Sequence, residues 1–171
     1  GQPHIYSAND LQGTATPGVI GLEASQGQYQ FFPDLNATAS QTFKKGALVQ
    51  FSSGKVAVAD ADETTIVGVA LHDAIGTVDS DNQIAIADEH NIFVGNVYHA
   101  TAASSVTAAG DRHKKYGVEL VGDNWHVSLA DTSNTRIRIV DLDRRDAIGD
   151  TNGRVHFVFL GANATGGTGS G

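Results

Sequence analysis

The chain has 171 residues, a formal net charge of −8 and no cysteine. This length suits one domain with a buried core, and the lack of cysteine excludes disulfides and Cys-ligated metals. The acidic balance disfavours nucleic acid, whose phosphates would be repelled. No apolar run reaches the roughly 20 residues of a membrane helix, and residues 1–30 lack a secretory signal core. We therefore expect a protein that is made in the cytoplasm and binds neither membrane nor nucleic acid.

Composition divides the chain into three parts. Residues 1–42 are rich in Gly, Gln, Ala, Ser and Thr, and we interpret them as an N-terminal arm. Residues 43–160 form the predicted β body, and residues 161–171 are a Gly-rich tail. The arm carries one apolar cluster, which consists of Tyr29, Phe31, Phe32 and Leu35.

The first half of the body is predicted to consist of strands and tight turns. Residues 48–51 and 55–59 flank the turn sequence SSG and indicate a hairpin. Residues 65–71 are almost all apolar, so this strand is expected to be buried on both faces, and Gly68 within it indicates a bulge or a close backbone approach. Further strands are predicted at 83–87 and 92–98.

The second half of the body continues the pattern. Residues 99–110 fit either a short helix or a loop. A second hairpin, at 115–121 and 125–130, places Trp125 on the face that we expect to be core. The last strands are predicted at 136–141 and 154–160. In total, eight to ten short strands predict an all-β fold, either a small β-barrel or a sandwich, with an extended arm and a Gly-rich tail.

The motifs of enzymes and metal sites are missing from the sequence. The seven histidines lack metal-ligand spacing, and the Asp-x-Asp starts at Asp60 and Asp79 lack the Gly and Glu of an EF-hand. There is no nucleophile elbow, P-loop or dinucleotide fingerprint. We therefore expect no enzymatic activity, no cofactor, no metal and no catalytic residue.

The densest charged cluster lies near the end of a predicted strand. It contains Asp141, Asp143 and Asp146 beside Arg144 and Arg145. As structure, it needs only ion pairing at a strand end or a contact between subunits. As an active site, it would need a base, a nucleophile and a pocket.

Four segments of the body carry a family resemblance. Residues 46–49 (GALV), 54–56 (GKV), 66–70 (IVGVA) and 93–97 (FVGNV) follow in the order found in capsid decoration proteins of tailed bacteriophages. The chain resembles these proteins, also called cement proteins, over residues 46–97. The resemblance implies a barrel-like domain that assembles as homotrimers on the outer surface of the virion and clamps subunits of the major capsid protein. It implies synthesis in the host cytoplasm, and it supplies no catalytic residues.

Two sets of side chains are predicted to contact these partners. The first is the arm cluster of Tyr29, Phe31, Phe32 and Leu35, because buried aromatic residues dominate interface energies; alternatively, the aromatic residues cap the open end of their own barrel. The second set is Asp141, Asp143, Arg144 and Arg145. Two other functions are compatible with the sequence: a trimeric β-fold nucleotide hydrolase that uses the aspartates, and a module for adhesion to a host or a sugar.

Overall fold

The structure, a computed structural model, describes the backbone of residues 22–26 and 30–36 and the complete residues 41–60, 62 and 64–164. The fold is all-β, as predicted. The described strands are β1 (Leu22–Gln26), β2 (Gln30–Asn36), β3 (Leu48–Ser52), β4 (Lys55–Val58), β5 (Ile66–Ala70), β6 (Asp81–Ile86), β7 (Ile92–Tyr98), β8 (Lys115–Val121), β9 (Asn124–Ser128), β10 (Ile137–Leu142) and β11 (Arg154–Phe159). Nine of them, β3 to β11, lie within residues 43–160.

Five strands close into a barrel. Their order is β7-β11-β10-β8-β9, and β9 pairs with β7 in a parallel ladder that joins the two ends. β1 pairs antiparallel with the first half of β7, Leu22 opposite Gly95. The edge of β7 that faces away from β11 is therefore shared by β1 and β9.

The other five strands form a second sheet, in the order β2-β6-β5-β3-β4. The consecutive strands β1 and β2 of the predicted arm thus belong to different sheets. Residues 1–21, 27–29 and 37–40 of the arm, and residues 165–171 of the Gly-rich tail, lie outside the described residues. Residues 99–110, for which the sequence left helix and loop open, contain two single-turn 3-10 helices, at Ala102–Ser104 and within Ala109–Asp111.

Two local predictions are confirmed by the backbone. The β3–β4 hairpin turns at Ser53 and Gly54, whose φ angles of 52° and 78° are both left-handed, as in a two-residue hairpin turn. On β5, a Cβ atom at Gly68 would lie 2.0 Å from the carbonyl oxygen of Ala85 on β6. Only glycine permits this approach of two strands without displacement of the backbone.

The core fills the barrel and continues into the second sheet. Trp125 is buried, as predicted, and Phe93, Phe157 and Phe159 contact one another with ring centroids 5.1 to 5.9 Å apart. β11 lies between β7 and β10, so its apolar sequence is explained by burial in the middle of the sheet. Within the described residues, no helix has the length and apolar character needed to cross a membrane.

Candidate interaction surface and carboxylate cluster

The end of β10 and the loop between β10 and β11 carry the four charged residues that the sequence predicted at a partner contact. Asp143 is buried, and its Oδ1 accepts hydrogen bonds from the backbone N–H and the Nε of Arg145, both at 2.9 Å. Its Oδ2 lies 2.6 Å from a terminal nitrogen of Arg145 and 3.0 Å from His156 Nε2. Burial opposes ionisation, but these hydrogen bonds outweigh it and hold the pKa of Asp143 well below its usual range.

A second ion pair lies in the same loop and is almost fully enclosed. Asp146 and Arg154 have side chains that are 2% and 6% exposed. The guanidinium donates from Nε to Oδ2 at 2.9 Å and from a terminal nitrogen to Oδ1 at 2.7 Å, and the backbone N–H of Arg154 donates to Oδ2 at 2.8 Å. This bidentate ion pair links the loop to the first residue of β11.

The outer part of the cluster is more exposed. Arg112 Nε donates to Asp141 Oδ1 at 2.7 Å, and this hydrogen bond is the main cause that lowers the pKa of Asp141. Arg144 is exposed beside it. Each of Asp141, Asp143 and Asp146 is therefore paired with an arginine of the same chain. In the described part of the chain, no group of three or more His, Asp or Glu side chains is placed to hold a metal ion.

For the predicted contact residues of the arm, the structure describes at most the backbone. Phe31, Phe32 and Leu35 lie on β2, where Phe31 is opposite Gln83 and Phe32 is opposite Asn82 on β6. Tyr29 lies outside the described residues. The backbone of this segment thus pairs with the chain's own second sheet.

Exposed apolar side chains form a surface that the sequence analysis did not predict. A groove of about 380 Å³ has Phe43, Ala47 and Trp125 in its lining, together with Val58 from β4 and Leu120 from β8. Val58 and Leu120 are exposed although each shares its strand face with buried neighbours. Alternation along a strand shows which side chains share a face, but not where a neighbouring element stops covering that face.

A second apolar feature is the loop between β5 and β6, residues 71–80. Ile75 is 61% exposed and Val78 is 54% exposed. The loop is anchored where it leaves β5, because Asp73 Oδ1 accepts from the N–H of Lys45 at 2.7 Å. The N–H of Ala74 donates to the carbonyl of Phe43 at 2.8 Å. Phe43 thus connects this loop, which we call the apolar loop, with the groove.

The comparisons with known proteins give no relatives. No protein-family model matches the chain, and neither the curated proteins nor the solved structures contain a significant match.

Proposed function

We propose that this chain is a capsid decoration protein of a tailed bacteriophage. It binds the outer surface of the head as a homotrimer and stabilises contacts between subunits of the major capsid protein. The observation that carries the proposal is the exposed apolar side chains of the groove and the apolar loop, which lie on the β body. The order of sequence segments within residues 46–97 supports it.

The apolar loop is suited to contact because its ends are already ordered. Hydrogen bonds to Lys45 and Phe43 hold its beginning, and Asp79 near its end is paired with Lys55 on β4. A partner that covers Ile75 and Val78 therefore pays little conformational entropy for the loop. Full burial of such a side chain contributes about 1.5–3 kcal/mol, and three copies in a trimer multiply a weak contact.

The pairing of the aspartates argues for a structural role of the charged cluster. A nucleotide hydrolase would use Asp141, Asp143 or Asp146 to hold a metal or to activate water. In this chain, arginine donors occupy oxygens of each of these carboxylates. For sugar adhesion, Trp125 would need an exposed ring face for stacking, but its side chain is buried. Contact through a surface is the function that these side chains favour.

The first test compares two substitutions in the apolar loop. Ile75→Asp places a charge where the proposal requires an apolar contact, and Thr77→Asp adds the same charge at an exposed position two residues away. Co-sedimentation with phage shells that lack this chain measures binding. We expect the Ile75 variant to bind at least about tenfold more weakly, equivalent to roughly 1.4 kcal/mol, and the Thr77 variant to bind like the parent.

A second test concerns the arm. Deletion of residues 1–21 leaves β1 and β2 in place, so every described strand is retained. Sedimentation of the parent chain gives the oligomeric state, and binding of the truncated chain to shells measures the contribution of the arm. A parent chain that is monomeric and does not bind any phage shell would contradict the proposed function.

A further inference from the structure

The barrel is closed by a short parallel ladder. β7 and β9 are matched at only two positions, Val97 with Val127 and Tyr98 with Ser128, and the N–H of Leu129 donates to the carbonyl of Tyr98 at 3.0 Å. The neighbouring β8–β9 ladder has five matched positions. We call the β7–β9 junction the seam. Because few hydrogen bonds hold it, a local perturbation has a larger effect here than in the longer ladders.

A buried histidine lies at the seam. His126 of β9 is 0% exposed, and its ring centroid lies 4.4 Å from that of Tyr98 on β7. Its Nε2 lies 3.5 Å from Glu119 Oε1 on β8. Among the described residues, neither ring nitrogen has a hydrogen-bond partner. Buried polar atoms without partners are uncommon, since each forfeits its interaction with water.

Few charged groups surround the imidazole. β8 contributes Glu119, whose half-exposed carboxylate also accepts a hydrogen bond from Ser128 Oγ at 3.2 Å. β7 contributes Tyr98. β1 also contacts β9, and its one titratable residue is Glu23, at the register position of Val94. Glu119 thus places a carboxylate oxygen 3.5 Å from His126 Nε2, and the carboxylate of Asp131 lies on the same face, against Gly117 of β8.

We propose that the seam is an acid-sensitive device in which protonation of His126 weakens the β7–β9 ladder and loosens the closed barrel. The added proton puts a positive charge into a buried site where the ring packs on Tyr98 and the nearest carboxylate oxygen, that of half-exposed Glu119, is 3.5 Å from Nε2. This inference does not depend on the proposed function, because it concerns closure of the barrel itself.

The direction of the pH effect follows from burial. Burial lowers the pKa of His126 below its ordinary value, and the Glu119 carboxylate only partly opposes the change. The unfolded chain therefore takes up the proton at a higher pH than the folded chain. The stabilisation due to neutral His126 is complete above about pH 6.5 and is lost as the pH falls through the folded pKa.

Amide hydrogen exchange tests the proposal on the full chain. The reporter is the N–H of Leu129, which donates across the seam, and its protection is corrected for the intrinsic pH dependence of exchange. Between about pH 7.5 and pH 5, we expect this protection to fall at least about tenfold. Protection of the β8–β9 amides should fall less.

The key variant is His126→Phe, which keeps an aromatic ring against Tyr98 and cannot take up a proton. We expect its Leu129 protection to be independent of pH in this range. His90→Gln, at an exposed histidine, is the matched control and should lose protection like the parent. Equal losses in the parent and in His126→Phe would overturn the proposal.

A direct titration keeps the proposal testable if His126→Phe does not fold. NMR of the parent chain gives the titration midpoint of the His126 ring. We expect this midpoint to lie below the ordinary pKa of histidine and to mark the acid end of the loss of Leu129 protection. A ring that titrates without any loss of protection, or a loss that levels off well above the midpoint, would overturn the proposal.

Discussion

Replacing Asp146 by asparagine should strongly destabilise the fold. The substitution keeps the shape of the side chain but removes its charge, so the nearly buried guanidinium of Arg154 loses its ion pair with Asp146. The new amide group can also turn an N–H toward the guanidinium donors, where the carboxylate accepted at 2.7 and 2.9 Å. Breaking such a pair by removing one partner costs about 3–5 kcal/mol.

Because of the position of Arg154, the loss of this ion pair should destabilise the whole barrel. Arg154 is the first residue of β11, which lies between β7 and β10. A domain of ordinary stability has a free energy of unfolding of about 5–15 kcal/mol, so the variant would lose a large fraction of its stability. The change in the free energy of unfolding is measured by urea unfolding near neutral pH, with the fluorescence of the single tryptophan, Trp125, as the signal.

Two further variants separate this mechanism from a general effect of losing a carboxylate. Asp141→Asn removes the same charge from a more exposed pair with Arg112 and should cost less than about 1 kcal/mol. Adding Arg154→Met to Asp146→Asn removes the guanidinium whose ion pair was broken and should restore part of the stability. Equal losses for the Asp146 and Asp141 variants would refute the reasoning.

The pH dependence gives an independent check on the same pair. Burial opposes ionisation of Asp146, but the hydrogen bonds from Arg154 prevail and hold the pKa of this carboxyl below its usual value. The unfolded chain therefore binds the proton first as the pH falls. The stabilisation is complete above about pH 4 and is lost below it, so the difference between the parent and Asp146→Asn should shrink in acid.

Two other predictions concern the core. Gly68→Ala places a Cβ 2.0 Å from the Ala85 carbonyl oxygen and should lower the free energy of urea unfolding by about 3 kcal/mol or more. In the control Gly110→Ala, the nearest contact of the new Cβ is at 3.9 Å, and the free energy of unfolding should change by less than about 1 kcal/mol. Similar costs for the two variants would show that the strands do not approach this closely. Burial, together with the charge and hydrogen bond of Asp111, raises the pKa of Tyr116 to about 12, so stability is lost as the pH rises from about 10 through 12. A spectrophotometric titration should show one tyrosine ionising at about pH 12 and an earlier ionisation in Asp111→Asn, and the absence of any such late tyrosine would contradict this account.

The candidate sites show what local pattern can and cannot find. The sequence identified the cluster around Asp143 because its charged residues are neighbours in the chain. It did not identify the partner of Asp146, since Arg154 comes close only when the loop folds back on β11. It also missed His126, because Tyr98 and the neighbouring strands that bury its ring are distant in sequence.

The sequence by itself determined the all-β class and the β3–β4 hairpin, and it indicated a bulge or a close backbone approach at Gly68. Each depends on residues close together in the chain: a turn with two left-handed residues, alternation along a strand, or an absent side chain. Only the tertiary structure decided that β9 closes the barrel against β7, that β1 and β2 join different sheets, and that Val58 and Leu120 line a groove. These pairings join segments distant in sequence, and many alternatives share the same local propensities. The choice among them is made by the total burial and hydrogen bonding of the whole fold, which no short segment encodes.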